Sequence, residues 1–304
     1  MIKIKNSILL LLFSLIIYAC GDDNAFRNPF ADVDHEALAI SDNDSIVKFL
    51  KNHYYDATED VLKPLETGKT ALFDDSKLKI KEVTENDINY KLYYFEINRG
   101  SAAPDPDKGF PTVVDSVFVK YSGRTFSGST FSQNEFDSNS SGIWLNLNAF
   151  IAGWRNTLIN FKGGYLKKEP NGDPFNGPIT FLNSGKGIIF VPSGLAYPSS
   201  NPDNYSRSVV DLNLLFTFDL LDFVEDTDQD NDNVPSILED IDGDGKVNND
   251  DTDGDGLTNF LDKDDDGDGV LTKNEDANGD GDPTNDFSDP NNPTLPDYLN
   301  KNIK

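Results

Sequence analysis

The feature that most constrains this chain is an aspartate pattern in its last quarter. From Asp228 onward, units recur every 11 to 13 residues, with aspartate at positions 1, 3 and 5, usually glycine at 6, and an acid at 12. Between residues 226 and 289 there are 21 aspartates and two glutamates against three lysines, so twenty of the chain's 27 net negative charges fall in this stretch. Carboxylates at that density repel one another, and the segment must either stay expanded or fold around cations.

The spacing is the ligand order of a calcium loop, and it predicts four sets of ligands. The fourth unit matches throughout: Asp264, Asp266 and Asp268, then Gly269, the Val270 carbonyl at 7, Thr272 at 9 and Glu275 at 12. The others are Asp228, Asp230, Asp232 and Glu239; Asp240, Asp242, Asp244 and Asp251; and Asp251, Asp253, Asp255 and Asp262, with Asp251 shared. An oxygen-bearing side chain recurs at position 9, as Ser236, Asn248 and Asn259. A fifth unit, Asp276, Asn278 and Asp280, breaks the rule with Phe287 at position 12. In the first unit Asn233 stands where glycine is usual, a residue that tolerates left-handed backbone. Oxygen-only ligands favour Ca²⁺ over Mg²⁺, and a zinc site lacks cysteine or histidine here. The loops abut, leaving no room for the flanking helices of EF-hands. They resemble thrombospondin type-3 repeats, which implies an extended tail organised by its ions; the alternative is a disordered, solvating acidic tail.

The rest of the chain is only mildly acidic. The overall charge excludes a general nucleic-acid binder, since phosphates would be repelled. Cys20 is the only cysteine, which excludes an intramolecular disulfide, a thiolate zinc site and a redox pair. His35 and His53 are the only histidines and read as structural or solvated. Lys3 and Lys5 precede an apolar run from Ile8 to Ala19, too short to span a bilayer but matching a signal peptide. The run ends Ile17-Tyr18-Ala19-Cys20-Gly21, which resembles a bacterial lipoprotein signal and implies lipid on Cys20. The expected location is the cell envelope, lipid-anchored in the outer membrane and facing either the periplasm or the surface. Asp22-Asp23 is loosely similar to the export signals of Bacteroidetes surface lipoproteins.

In the middle of the chain, Ser41 with Asp44 three residues on predicts the start of a short helix. Its buried face would be Ile46, Phe49 and Leu50, and it would end near His53. From Leu78 onward, β-branched and aromatic runs separated by Gly, Pro, Asn and Ser predict strands over residues 90–98, 113–121, 187–191 and 209–223. The last alternates Leu212, Leu214, Phe216, Phe218 and Leu220 on one face. One helix is expected over residues 149–161, with Phe150, Trp154, Leu158 and Phe161 in register. A single helix across a twisted antiparallel sheet is an α+β domain.

Five ordered blocks within residues 113–223 carry a family resemblance: Tyr121-Ser-Gly123; Gly128-Ser-Thr-Phe131; Phe150-Ile151-Ala-Gly153-Trp154; Val191-Pro192-Ser-Gly-Leu195-Ala196-Tyr197; and Leu215-Phe216-Thr-Phe218-Asp219-Leu220-Leu221. Together they resemble an FKBP-type peptidyl-prolyl isomerase. The resemblance implies a proline pocket floored by Trp154 and walled by Tyr121, Phe131 and Phe216. The Ile151 backbone N–H and the Tyr197 hydroxyl would be donors to substrate carbonyls. It implies no cofactor for the reaction, and proline-containing exported proteins or peptides as partners. Two departures stand out: Ser132 occupies the place of the aspartate that usually follows the pocket phenylalanine, and Arg207-Ser208-Val209-Val210 replaces the usual Ile-Pro-Pro before the last strand. Residues 164–185 form extra sequence between helix and strand. The alternatives are an FKBP-like module that binds proline-containing segments with little catalysis, and a structural or adhesive lipoprotein working through its tail. The expected organisation is a signal peptide over 1–19, a tether with a helical extension over 20–77, the isomerase-like domain over 78–224, calcium repeats over 225–290 and a tail over 291–304.

Overall fold

The computed structural model describes residue 30 and residues 32–101, 108–128, 130–132 and 134–304. The signal-like segment, Cys20 and most of the tether lie outside the described residues. The chain divides into two units, Met1–Asp34 and His35–Lys304, and every element below belongs to the second. Among the described residues no helix is long and apolar enough to cross a membrane.

The centre of the fold is a seven-stranded antiparallel sheet, which with its helices makes an α+β fold. Its strands are β3 (Leu78–Glu85), β4 (Ile88–Asn98), β5 (Ser116–Ser127), β6 (Thr130–Phe131), β7 (Asp137–Asn146), β10 (Gly185–Val191) and β11 (Leu214–Phe223). The order is β3-β4-β10-β11-β5-β6, with β7 also paired to β5. Two small hairpins stand apart: β1 (His53–Asp56) with β2 (Val61–Pro64), and β8 (Tyr165–Leu166) with β9 (Phe181–Leu182), the latter inside the extra 164–185 segment. Strand β7 reads Asp-Ser-Asn-Ser-Ser-Gly-Ile-Trp-Leu-Asn, too polar to announce itself, and pairing with β5 makes it a strand.

Side chains alternate across the sheet, so each strand feeds two cores. On one face Leu92, Ile189, Val191, Leu214, Phe216, Phe218 and Leu220 pack on the short helix α2 (Ala152–Leu158) through Trp154 and Leu158. On the other, Tyr93, Phe95, Ile188, Phe190 and Leu215 pack on the helix α1 (His35–Asn52) through Ile46, Phe49 and Leu50. Each of those α1 side chains is fully buried, which is worth about 1.5–3 kcal/mol apiece. Central strand β10 is therefore apolar on both faces.

Both expected helices form, with shifted bounds. Helix α1 begins six residues before Ser41, which lies inside it rather than capping it, because Asp42 is drawn into the fold. The buried Asp42 Oδ2 accepts from the Ser193 backbone N–H at 2.8 Å and from its hydroxyl at 2.6 Å, joining α1 to the turn that leads to Tyr197. Helix α2 is shorter than the predicted 149–161: residues 147–149 form a separate 3-10 turn, and Phe161 stays buried beyond the helix end. His53 is structural, stacked on Phe49 at 3.9 Å with Nδ1 against the Phe49 carbonyl.

The repeats turn back onto the sheet instead of standing out as an extended array. Val247 and Phe260 are buried with Val114, just before β5, and Ile237 and Val113 pack beside them. Polar ties reinforce the seam: the Thr227 N–H donates to buried Asp115, the Gln229 side chain donates to the Val114 carbonyl, and the Asn148 and Asn248 amides pair reciprocally at 2.8 and 3.2 Å. Apolar residues interleaved among the aspartates give the tail a surface to bury, which an ion-only array would not have.

Candidate functional site

The aromatic cluster expected to form the pocket is assembled from α2, β5, β11 and the residue before β7. Trp154 is buried at its base, with Tyr121 edge-on at 5.2 Å and Phe216 edge-on at 5.3 Å. Such tilted packing suits aromatic quadrupoles and fixes the rings. The pocket needs two glycines from the sequence blocks. A Cβ on Gly153 would sit 2.5 Å from Val191, so glycine lets α2 lie close on the sheet, and a Cβ on Gly123 would sit 2.6 Å from the Phe216 ring. At the rim, Ile151 is the residue before the first helical turn, with its N–H outside the helical ladder and its carbonyl accepting from Trp154 and Arg155. Half-buried Tyr197 lies beneath the Arg207 guanidinium, 4.4 Å from its ring centre. Phe150, Ile151, Arg155, Tyr197 and Arg207 line a groove of about 580 Å³ along this rim.

Phe131 is not in the pocket. It packs in the α1 core, 5.9 Å from Phe49 and 6.0 Å from His53, because β6 turns it to that face of the sheet. Its place is taken by Phe136, whose ring meets Phe216 at 5.6 Å and whose N–H donates to the Gly123 carbonyl. The apparent loss of the following acid disappears with this correction. Asp137 follows Phe136, and the Tyr121 hydroxyl donates to it at 3.1 Å. Burial and then Asp137 push the Tyr121 hydroxyl up to about 12, and burial raises Tyr197 as well, with Asp137 adding and Arg207 opposing, so both stay protonated donors through neutral pH. Ser132 is a turn residue bonded to Asn134. Of the altered late loop, Val209 is buried in the α2-side core and Arg207 covers Tyr197. The Phe-Asp pair at 136–137, five residues beyond Phe131, was the available signal in the sequence.

The acidic repeats share one local geometry. In each, the carboxylate at position 1 accepts from the backbone N–H at position 6: Asp228 from Asn233, Asp240 from Gly245, Asp251 from Gly256, Asp264 from Gly269 and Asp276 from Gly281. Positions 4 and 6 are left-handed throughout, with Asn233 at φ 79° doing what glycine does elsewhere. The fifth unit thus forms the same loop despite Phe287. Aspartates cluster as Asp228-Asp230-Asp232, Asp240-Asp242-Asp250, Asp251-Asp253-Asp255 and Asp264-Asp266-Asp268, and a further group joins Asp232, Glu239 and Asp265.

Three expectations change here. Position 9 bonds elsewhere: Ser236 and Asn259 accept from the backbone N–H at position 2, Thr272 accepts from that of Asp265, and Asn248 pairs with Asn148. In the second unit Asp250, not Asp251, turns in, accepting from the Ile241 and Asp242 N–H groups, so Asp251 serves the third unit alone and Asp244 stays outside the cluster. Glu239 lies with Asp232 and Asp265 rather than with Asp228 and Asp230. Asp262 is hydrogen-bonded to the Asp264 N–H, and Glu275 faces its own loop, where burial and then Asp266, Asp268 and Asp264 raise it.

The donor set tests whether cations fit. Among the described residues, both Glu239 oxygens, both Glu275 oxygens, both Asp230 oxygens and one oxygen each of Asp232, Asp265 and Asp266 are buried with no hydrogen-bond partner. Burial first, then neighbouring carboxylates, push Glu239 up to about 10, Asp265 to about 9, Asp230 and Glu275 to about 8, and Asp232 and Asp266 to about 6. Buried charges of one sign require a counter-charge, and these residues fit oxygen-seeking cations.

A family model described as BamM C-terminal matches residues 229–297. No curated protein matches the chain. Among solved structures, the chain is similar to a peptidyl-prolyl cis-trans isomerase from Pseudomonas syringae pv. tomato, at 17% identity and TM-score 0.35, covering 64% of this chain and 99% of that one. FkpA from Escherichia coli is similar at 21% identity and TM-score 0.32, over 49% of this chain and 53% of that one. The N-terminal domain of FKBP42 from Arabidopsis thaliana is similar at 18% identity and TM-score 0.32, over 50% and 94%.

Proposed function

We propose that this protein is a peptidyl-prolyl cis-trans isomerase acting on proline-containing exported polypeptides, anchored in the cell envelope by lipid on Cys20. The observation that carries the reading is the buried Trp154 held between Tyr121 and Phe216, with Phe136 behind and the Ile151 N–H and Tyr197 hydroxyl at the rim. An Xaa–Pro bond rotates through a twisted amide that has lost its resonance, over a barrier of about 18–20 kcal/mol. No nucleophile is required. An apolar floor favours the less polar twisted state, and donors on the flanking carbonyls hold the chain while one bond turns, so binding is stronger in the transition state than in the ground state. Tyr121, fixed by Asp137, keeps the wall in place. The cis-to-trans rate of an Xaa–Pro peptide tests this: acceleration that falls with Trp154→Leu supports it. Binding of the peptide without acceleration by the parent makes the pocket a binding module instead.

We also propose that the repeats bind Ca²⁺. The buried, unpartnered oxygens of Asp230, Asp266 and Glu275 support this, and the ligands would be Asp228, Asp230 and Asp232; Asp240, Asp242 and Asp250; Asp251, Asp253 and Asp255; and Asp264, Asp266 and Asp268 with Glu275. Bound calcium would neutralise these charges and allow the loops to pack. Calcium titration of the full chain by calorimetry tests it, and an absence of heat overturns it. Mass spectrometry of membrane fractions tests the lipid, which Cys20→Ala should remove.

A further inference from the structure

Asp265 has no place in the repeat pattern: it stands at position 2 of the fourth unit, between two ligand positions. The fold nevertheless carries it onto the first repeat. Its Oδ2 accepts from the Thr272 hydroxyl at 3.1 Å, and its Oδ1 has no partner. Asp232 spends Oδ1 on the Val234 N–H and leaves Oδ2 free, while neither oxygen of Glu239 has a hydrogen-bond partner among the described residues. One oxygen from each of the three lies within 4.8 Å of the others. Asp232 and Glu239 are 0% exposed and Asp265 1%, so water does not stand in for a counter-charge.

None of the ion pairs among the described residues reaches these carboxylates. The charged neighbours acting on Glu239 are Asp265, Asp232, Asp230 and Asp228, all acidic, and Asp262 acts on both Asp232 and Asp265. Tyr298, brought back by the last turn and buried, closes the group, its hydroxyl pushed up by burial and then by Asp265, Glu239 and Asp232. Charge counting separates one ion from two. Asp228, Asp230, Asp232, Glu239 and Asp265 form two overlapping groups with Asp232 common to both. One divalent ion would leave three negative charges buried, and two would leave one.

We propose that Asp232, Glu239 and Asp265 hold a calcium ion of their own, bridging the first and fourth repeats, beside the ion of the first loop. The proposal rests on the reading that the repeats bind calcium. Three convergent carboxylates and no nitrogen or sulfur ligand suit Ca²⁺, whereas Mg²⁺ keeps most of its waters. The ion joins segments more than twenty residues apart, so it sets how the tail folds on itself.

The test uses the full chain with Asp265→Asn and, separately, Glu239→Gln. Native mass spectrometry should count one calcium fewer in each. Thermal melting should move in opposite directions: Asp265→Asn melts lower than the parent in excess calcium, and higher in chelator, where it removes one of three crowded buried carboxyl groups. An unchanged count, or higher melting in both conditions, overturns the site while leaving the loops intact. A parent that binds no calcium overturns the loop reading and this site together. Terbium in place of calcium gives a readout without altering a ligand: emission excited through tyrosine should drop in Tyr298→Phe, and undiminished emission overturns the placement.

Discussion

The two halves of this protein bury opposite things. The sheet domain encloses Trp154, Phe161, Phe190 and Phe223 between two helices, and its interior is held by removal of apolar surface from water. The repeat tail encloses Asp230, Asp232, Glu239, Asp265, Asp266 and Glu275, with Val234, Val247, Phe260 and Tyr298 as its main apolar content. One half is held by apolar burial. The other is a set of turns with like-charged groups in its interior, which on the proposed reading are balanced by cations. One compact unit thus joins two different kinds of interior across a small seam at Val114.

Calcium removal should break the comparison most visibly. In chelator the tail is expected to open and be cut by protease beyond residue 226, with a larger hydrodynamic radius, while the sheet domain keeps its cooperative melting. An unchanged radius would show that the tail does not depend on ions.

The pH response sharpens the same contrast. In the metal-free protein Glu239 is raised to about 10 and Asp230 and Glu275 to about 8, so the folded tail binds more protons than the unfolded one. Its stability is then fully present below about pH 4, the unfolded carboxylate range, and is lost as pH rises through 8 to 10. In chelator the tail should therefore be more stable at pH 5 than at pH 8. Excess calcium should reverse the order, since the ionised carboxylates are the proposed ligands. A flat profile in chelator would contradict the burial of these groups.

Within the sheet domain, Phe136 and Phe131 separate pocket from core. Phe136→Ala should lower kcat/KM by about 10- to 100-fold, the equivalent of about 1.4–2.8 kcal/mol in the transition state. Phe131→Ala should leave kcat/KM within about twofold and cost about 1–3 kcal/mol in stability. Equal effects on turnover would put both rings at the site. Tyr197→Phe removes one donor, and a loss of about 3- to 10-fold in kcat/KM is expected from a hydrogen bond worth about 0.5–1.5 kcal/mol. The smallest effect belongs to the seam: Asn248→Ala should change stability by less than about 1 kcal/mol, and only while calcium holds the second repeat in place.

Much of this was legible in the sequence where the information is local. The alternation Leu212, Leu214, Phe216, Phe218, Leu220 placed β11 and its buried face from Leu214 on, whereas Leu212 precedes the strand and is exposed; Trp154, Tyr121 and Phe216 do meet. The exchange of Phe131 for Phe136 was not legible from block order alone, because the pairing of β6 with β5 turns Phe131 to the opposite face of the sheet. Strand β7 was hidden because its hydrogen bonds come from β5 rather than from its own propensity.

The repeats divide in the same way. Positions 1, 3, 5 and 6 lie within one tight turn, so the spacing by itself determined that the position-1 aspartate would bind the position-6 N–H, and it does so in all five units. The closing acid lies a further half-loop away, where the chain direction depends on what it packs against. Only the tertiary structure decided that Asp250 turns in where Asp251 was expected, and that Asp265 reaches the first repeat to join Glu239 and Asp232. Local geometry is set by bond rotations a few residues apart. Convergence of buried charge is set by the apolar contacts, Val247 and Phe260 against Val114, that bring distant turns together.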